Sequence, residues 1–238
     1  MALVRRERRV QPRLGARKLL VRLGGELAAM GVQIGRDRLL ELLGRHDLLI
    51  KRARRVARTT DARHSFRVYR NRFAALSLSG PHQAWVSDIT YVRTDEGFLY
   101  VSLISDAWSR KIVGYEGADT LEASGSLRAL NRALGQLPAR CRPMHHSDRG
   151  IQYACGDYVR RLESAGLEIS MTEEAHCYEN AQAERLNGIL KQEYGLGGAF
   201  RTRAQARAAL RQAVWLYNTQ RPHIGLGYRT PEAVHQAA

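Results

Sequence analysis

Three acidic residues occupy positions from which a fold could bring carboxylates together. Asp88 interrupts the apolar, β-branched segment 85–92, which predicts a strand, and a carboxylate in a buried strand requires a metal or a partner. Asp148 follows a predicted strand and precedes a glycine, so it suits either a ligand at a strand end or a turn. Glu184 falls in the first turns of a predicted helix for which Asn180 is a candidate N-cap. Carboxylates that hold two divalent ions about 3.5–4 Å apart catalyse phosphodiester displacement.

The helix that carries Glu184 also offers polar groups on the same side. Glu184, Asn187 and Lys191 are spaced i, i+3 and i+7, which places them on one face. Leu186 and Leu190, spaced i and i+4, mark the buried side. The polar face presents a metal ligand, an amide and a cation to a phosphate backbone, although the triplet alone also fits an ordinary solvated face.

The remaining acidic and thiol groups are weaker candidates. Asp106 ends a predicted strand, where we expect it to shape a turn. Three further acidic residues fall in predicted connections: Glu173, Glu174 and Glu179. One set of side chains offers zinc donors at spacings that match no standard finger: His145, His146, Cys155, His176 and Cys177. The three cysteines are widely spaced and odd in number, which argues against a disulfide framework.

The elements that must position these residues follow a recognisable order. Strands are predicted at 85–92, 98–105, 111–115, 143–147 and 167–171, with a tight turn at 94–97. Helices are predicted at 120–135, 153–165, 181–194 and from an N-cap at Thr202 to about Tyr217. A three-strand meander followed by alternating helices and strands predicts an α/β fold, a mixed sheet flanked by helices. This is the order of the ribonuclease H fold.

Positive charge is concentrated in the first third of the chain. The net charge is +15, and residues 1–72 hold 20 Lys and Arg against 6 Asp and Glu, whereas the remainder holds 18 against 17. Such a block attracts nucleic acid phosphates. The charges do not oppose one large apolar face, so a membrane-surface helix is the weaker alternative.

The basic region also predicts a small all-α domain of helix-turn-helix type. Apolar spacing predicts helices at 16–30 and 36–43, joined by a short turn that contains glycine. Arg36 and Arg38 begin the second helix, where major-groove readers place their contacts, although plain helix packing fits the pattern equally well. A basic run follows: Lys51, Arg52, Arg54 and Arg55. We predict a DNA-binding region at 1–58, a linker at 59–81 and a catalytic core at 82–238.

Four motifs together resemble a known family. Asp88, Asp148 and Glu184, with 35 residues between the last two, are similar to the D, D, E signature of retroviral integrases and insertion-sequence transposases. The segments WVSDITYV (85–92), HSDRGIQY (146–153), YENAQAE (178–184) and YNTQRPHIGLGYRTP (217–231) resemble the second-frame (OrfB) transposase of insertion-sequence family three. The match covers roughly residues 14–235.

The resemblance implies an integrase core with Asp88, Asp148 and Glu184 as catalytic residues and as ligands of two Mg²⁺ or Mn²⁺ ions. It implies cleavage of DNA at the element's terminal repeats, with water as the first nucleophile, and then strand transfer into target DNA by the freed 3′-hydroxyl. Lys191 is similar in placement to a lysine that integrases use against their DNA ends. We include Asn187 and Arg149 among the expected DNA contacts.

The resemblance also carries expectations about partners. In this family the end-recognising helix-turn-helix usually comes from an upstream frame, so we expect an OrfA protein or fusion partner. Two DNA ends must be brought together, so we expect a homo-oligomer on DNA. The zinc-binding domain of retroviral integrases is not expected, since no cysteine precedes Cys141.

Two other functions remain open at this point, and two classes are disfavoured. A ribonuclease H-like nuclease without strand transfer and a non-catalytic DNA-binding regulator share many of these features. No apolar run approaches the ~20 residues of a membrane span, and the N-terminus does not resemble a signal peptide. We therefore expect a bacterial cytoplasmic protein.

Overall fold

The structure, a computed structural model, describes residues 1–50, 65–173 and 180–237. Its helices are α1 (Ala2–Val10), α2 (Ala16–Ala29), α3 (Arg36–Arg45), α4 (Ala123–Gly135), α5 (Ile151–Ala154), α6 (Gly156–Ser164), α7 (Ala181–Glu193), α8 (Arg203–Gln220) and α9 (Pro231–Gln236). Its strands are β1 (Ala84–Thr94), β2 (Gly97–Asp106), β3 (Ile112–Ala118), β4 (Met144–Ser147), β5 (Ile169–Met171) and β6 (Ala199–Phe200). None of the helices in these ranges combines the length and apolarity required to span a membrane.

One mixed sheet organises the chain, with strand order β3-β2-β1-β4-β5 and β6 on the far end of β1. β1 pairs antiparallel with β2 from Trp85↔Asp106 to Thr94↔Gly97, which confirms the predicted tight turn. β4 lies parallel to β1, and β5 lies parallel to β4. The C-terminal end of β4 therefore lies beside the middle of β1, where side chains from distant parts of the sequence meet.

Helices cover both faces of the sheet. Successive side chains of β1 and β2 point to opposite faces, so each face carries apolar residues that a helix layer buries. Trp85 and Ile104 belong to the core shared with α4 and α6. Val101 and Leu103 belong to the core shared with α7 and α8. The predicted ribonuclease H-like fold class, a mixed sheet flanked by helices with a small helical N-terminal part, is confirmed.

Thr202 caps α8 as predicted, since its hydroxyl accepts a hydrogen bond from the Gln205 N–H at 3.1 Å. The helix predicted at 153–165 is confirmed as α6, but its predicted start is wrong. Residues 153–154 end a separate helix, α5, because Cys155 is extended (φ −66°, ψ 148°) and the next residue is a glycine, a poor helix former.

Three short elements were missed: α1, β6 and α9. In α1 only Val4 and Glu7 are buried, so its apolar periodicity is too sparse to detect. A signal for α9 is present in the sequence. Thr230 caps the helix and Pro231 stands at its first position.

The N-terminal helices enclose a small core of their own. Leu19 and Leu23 of α2 pack with Leu39 and Leu43 of α3, as predicted for two amphipathic helices. Gly31 in the connection has φ +67°, a backbone conformation that favours glycine. The boundaries 1–58, 59–81 and 82–238 stay predictions.

The N-terminal helices also contact the core. Lys18 of α2 forms a salt bridge with Glu193 at the end of α7, at 3.0 Å. The side-chain amide of Gln11 donates to the Gln220 carbonyl at 2.9 Å.

Candidate active site

Asp88 lies in the middle of β1 with 7% of its surface exposed. Its Oδ1 accepts a hydrogen bond from the Ile89 N–H at 2.9 Å. Its Oδ2 accepts one from the Asn187 side-chain amide of α7 at 2.8 Å. The helix face predicted to be polar therefore meets the strand at this carboxylate, and Asn187 fixes how the carboxylate is oriented.

Asp148 directly follows β4 and is partly exposed. Its Oδ1 accepts a hydrogen bond from the Gly150 N–H at 3.0 Å, so the turn role considered from the sequence is present. A Cβ on Gly150 would lie 3.0 Å from that Oδ1, which explains a glycine at this position. The turn aims the carboxylate without burying it.

The hydroxyl of Tyr153 relates the two aspartates in space. Burial raises the pKa of Tyr153 well above its ordinary value, and Tyr158, Asp88 and Asp148 raise it further. That hydroxyl is buried and has no hydrogen-bond partner within the described chain. Asp88 and Asp148 thus lie within electrostatic reach of one point, although 59 residues separate them in sequence.

Glu184 lies partly buried in the first turn of α7, one turn before Asn187. Asn180 stands at the N-cap position of α7 as predicted, but its side chain makes no capping hydrogen bond, and its backbone (φ −108°, ψ 20°) is unlike the extended backbone of a capping residue. Its amide instead donates to the Ser87 carbonyl at 3.0 Å. The start of α7 is therefore tied to β1 beside Asp88, and this tie positions Glu184.

Lys191 lies two helical turns after Glu184, with Nζ 6.0 Å from the centre of the Tyr91 ring. Burial lowers the pKa of its amine, and the negative charge of Asp88 opposes that shift. The cation therefore lies on the same side of α7 as the candidate carboxylates, as its spacing predicted.

Oxygen donors of this kind suit a hard divalent cation such as Mg²⁺. Within residues 1–50, 65–173 and 180–237, however, no three His, Cys, Asp or Glu side chains are close enough to hold one ion. The donor chemistry fits a divalent metal, since the charges of Asp88 and Asp148 both act on the Tyr153 hydroxyl and Glu184 is one turn from the amide that binds Asp88.

The zinc site was disfavoured from the sequence. The histidines of that set that the structure describes contact hydroxyl groups instead. The His145 Nε2 lies 2.8 Å from the Ser87 hydroxyl and 3.0 Å from the Tyr158 hydroxyl. The His146 Nδ1 lies 2.9 Å from the Ser170 hydroxyl. Two members lie outside the described residues, His176 and Cys177.

Comparison with known proteins identifies the family. Two models described as "Integrase core domain" match residues 79–177 and 165–231. The Insertion element IS600 uncharacterized 31 kDa protein of Shigella sonnei is 36% identical over 90% of this chain and 80% of its own length. Transposase InsF for insertion sequence IS3A of Escherichia coli is 34% identical over 89% of this chain and 74% of its own length. The chain belongs to the transposases of insertion-sequence family three. It is a DNA transposase, an enzyme of the D-D-E class.

Solved structures agree with the fold of the transposase. The catalytic core of HTLV-2 integrase, solved in complex with magnesium, matches 66% of this chain and 97% of its own with a TM-score of 0.52 at 16% identity. An intasome of simian T-cell lymphotropic virus matches 94% of this chain and 72% of its own with a TM-score of 0.58 at 17% identity. At these identities the likeness is one of fold.

The transposase uses its other acidic residues differently, as far as they are described. Asp106 is fully buried, and its Oδ1 accepts from the Ser109 N–H at 2.8 Å, its Oδ2 from the His82 N–H at 2.8 Å. Its predicted turn role is confirmed. Glu173 is exposed. The other two competitors lie outside the described residues, Glu174 and Glu179.

The residues predicted to contact DNA lie in different parts of the transposase. Arg149 beside Asp148 donates to the Thr172 carbonyl at 2.7 Å. Arg36 and Arg38 begin α3 with exposed side chains that pair with acidic neighbours on the same helix. The basic run lies outside the described residues: Lys51, Arg52, Arg54 and Arg55.

Sequence reasoning missed the residues that hold β1 and β4 together behind the aspartates of the transposase. Tyr158 of α6 and Ser87 of β1 meet at His145 of β4, which is fully buried. A polar residue directly before Asp88 and a histidine shortly before Asp148 were the available signals. They were insufficient, because the contact joins positions 58 residues apart.

We expect the stability of the transposase to fall in acid because of His145. Burial, with the charge of His146, lowers the pKa of His145 from 6.5 to about 3. The unfolded chain therefore binds this proton more readily, and stability falls as the pH drops from 6.5 towards 3, by up to about 1.4 kcal/mol per pH unit. Urea unfolding at pH 7 and pH 5 measures the change in the free energy of unfolding. We expect His145 to account for a loss of about 2 kcal/mol between these two pH values.

The variant His145→Gln should show a smaller loss of stability between pH 7 and pH 5, whatever its stability at pH 7. The exposed His46 provides the control, and His46→Gln should keep the wild-type loss. An unchanged pH dependence in His145→Gln would contradict the assignment.

Proposed function

We propose that Asp88, Asp148 and Glu184 form the centre that cleaves DNA at the ends of an insertion element and joins those ends to target DNA. One observation carries the proposal. The charges of Asp88 and Asp148 act on the same buried Tyr153 hydroxyl, while Asn187, one turn after Glu184, binds Asp88. Asp88 within β1, Asp148 directly after β4 and Glu184 on α7 therefore come from elements that meet beside β1, which supports a shared centre.

The three carboxylates would hold two Mg²⁺ or Mn²⁺ ions, which when bound stabilise charge on the attacking and leaving oxygens. The HTLV-2 integrase core, solved with magnesium, supports this choice of metal. Asn187 holds the Asp88 carboxylate in one orientation, and the anchored start of α7 limits the positions open to Glu184. Preorganisation of this kind avoids reordering the ligands when DNA arrives.

We assign the DNA contacts to two groups of residues. Lys191, Asn187 and Arg149 lie beside the carboxylates and would contact the DNA end. Arg36 and Arg38 would reach DNA from α3. The basic run would contact the phosphate backbone: Lys51, Arg52, Arg54 and Arg55. Their positive charge would supply affinity that the acidic centre cannot.

We expect Lys191→Ala to weaken binding to element ends about tenfold while the affinity for Mn²⁺ stays unchanged. One phosphate contact is lost, so the dependence of affinity on salt should fall by about one unit of slope. Fluorescence anisotropy in metal-free buffer measures the affinity, and calorimetry measures Mn²⁺ binding. Unchanged DNA affinity would remove Lys191 from the interface.

A joining assay tests the proposed function. DNA ends cut in advance, with a free 3′-hydroxyl, are incubated with a target plasmid and Mg²⁺. Recombinant product from the wild type and none from Glu184→Gln supports strand transfer at this site. Cleavage without joining would indicate a ribonuclease H-like nuclease, and end binding without either reaction would indicate a regulator.

Partners follow from the same proposal. The simian viral neighbour is an intasome, which supports assembly of several transposase copies on paired ends. An upstream-frame protein, free or fused, would complete end recognition. The proposed substrates, terminal repeats and target DNA, support a bacterial cytoplasmic location. Sedimentation with and without paired-end DNA measures the assembly.

A further inference from the structure

A cavity of about 370 Å³ lies between α2, α7 and the segment that follows α8. Four cations line it, from widely separated parts of the sequence: Lys18, Arg110, Arg185 and Arg221. The tail motif 217–231, to which the catalytic proposal gives no role, supplies one wall. The volume is in the range of small-ligand sites.

The cavity and the carboxylates lie on different faces of α7. Gln182, Arg185 and Glu193 line the cavity, whereas Asn187 and Lys191 face β1. An α-helix with its side chains is about 10–12 Å wide. A ligand in the cavity would therefore lie about one helix width from the proposed catalytic centre.

Positive charge in the cavity exceeds negative charge. Glu193 is the acidic residue of the described lining. Its Oε1 forms a salt bridge with the Lys18 Nζ at 3.0 Å and another with the Arg221 Nη2 at 2.7 Å. In the described chain, Arg110 and Arg185 have no salt bridge, and their guanidinium groups make no hydrogen bond. Among the described residues, these two cations therefore have no salt-bridge partner, although the charge of Asp106 acts on Arg110 from a greater distance.

Burial makes this arrangement unfavourable in the absence of a ligand. Burial, then the charge of Arg221, lowers the pKa of Lys18 to about 8. Burial likewise lowers the pKa of Arg110. Cations in such surroundings are stabilised when an anion joins them.

His223 adds a polar group to the same cavity. Burial, then the charge of Arg221, lowers its pKa to about 3, so the ring is neutral at pH 7. Its Nε2 is buried and has no hydrogen-bond partner within the described chain. A neutral ring protonated on this nitrogen can donate a hydrogen bond to an oxyanion.

We propose that this cavity is a phosphate-binding site, separate from the carboxylate centre, that takes a phosphate group of the DNA backbone. Guanidinium groups match the oxygens of a phosphate through paired hydrogen bonds. The proposal rests on the DNA transposase function and does not depend on the catalytic roles of the carboxylates. A free phosphate or nucleotide offers the same chemistry, so the experiment has an arm for each source.

The first arm measures affinity for duplex DNA in metal-free buffer at several salt concentrations. We expect Arg110→Gln and Arg185→Gln each to lower affinity about five- to tenfold and to reduce the salt slope by about one. Arg160→Gln is the control, because Arg160 is exposed on α6, which covers the opposite face of the sheet. Failure of the catalytic assignment would be seen separately, as Mg²⁺-dependent cleavage retained by Asp88→Asn, and would not change the DNA affinities of the arginine variants.

The second arm measures thermal unfolding with inorganic phosphate against chloride at equal ionic strength. Phosphate should raise the melting temperature of the wild type, and Arg110→Gln should lose that rise. Without phosphate, Arg110→Gln should melt no lower than the wild type, because it removes an unpaired cation. A purely structural Arg110 would instead give a lower melting temperature in both buffers.

The outcomes separate the alternatives. Loss of DNA affinity together with loss of phosphate stabilisation supports a backbone phosphate. Loss of phosphate stabilisation with unchanged DNA affinity supports the site but assigns it to a free phosphate. No effect in either arm overturns the proposal.

Discussion

Asp88→Asn should reduce metal-dependent DNA cleavage by about 10³-fold or more while the chain remains folded. The substitution keeps the size of the side chain but removes the charge that would hold a divalent ion, and that ion contributes several kcal/mol of transition-state stabilisation. Asp148→Asn and Glu184→Gln should have the same effect. Single-turnover end cleavage in Mg²⁺ measures the rate, and circular dichroism checks the fold.

Two controls bracket this prediction. Asp95→Asn alters an exposed carboxylate in the β1–β2 turn and should leave cleavage at the wild-type rate. Asp106→Asn alters a buried carboxylate that accepts several hydrogen bonds, so it should lower stability yet retain cleavage at low temperature. Retained cleavage in any one of the three catalytic variants would remove that residue from the catalytic set.

Glu193→Gln should lower the free energy of unfolding by about 2–3 kcal/mol, less than the ~3–5 kcal/mol for one partner of a fully buried ion pair, because the Glu193 side chain is 23% exposed. Burial alone would raise the pKa of Glu193, but Arg221 and Lys18 outweigh it and hold the pKa below its ordinary value. The substitution would leave both cations uncompensated, and Arg221 is only 3% exposed. Urea unfolding at pH 7 measures the loss.

A surface ion pair is the matched control for Glu193. Glu26 pairs with Arg6, and both side chains are about half exposed. Glu26→Gln should change stability by no more than about 1 kcal/mol, because exposed pairs contribute little. Equal effects from the two substitutions would show that the Glu193 network adds nothing beyond a surface pair. Added phosphate should restore part of the loss in Glu193→Gln if the cavity binds that anion.

Local patterns were sufficient to predict much of the fold and the candidate residues. The β-branched and aromatic residues of 85–92 predicted the strand around Asp88, and helical spacing predicted the face shared by Glu184, Asn187 and Lys191. The turn at Asp106 was predictable because its chemistry involves neighbouring residues. The resemblance to a known family joined three separately weak carboxylate assignments into one set.

Contacts between distant segments could not be predicted in this way. The amide of Asn180 binds Ser87, 93 residues away, instead of its own helix. The charges of both aspartates act on the Tyr153 hydroxyl only after β1 and β4 have paired. The phosphate cavity combines Lys18 with Arg221, more than 200 residues apart, which no sequence period encodes.

The short parallel pairing between β1 and β4 has a consequence for how the chain folds. Ala84 to Val86 pair with Met144 to His146, so Asp88 and Asp148 become neighbours only after a long loop closes. Pairings of this kind form late, because the entropy lost in closing the loop precedes the reward of the contact. The local α2–α3 contacts can form earlier. In a newly synthesised chain, the DNA affinity proposed for the N-terminal helices would then appear before the nuclease activity. That activity would require the complete native topology.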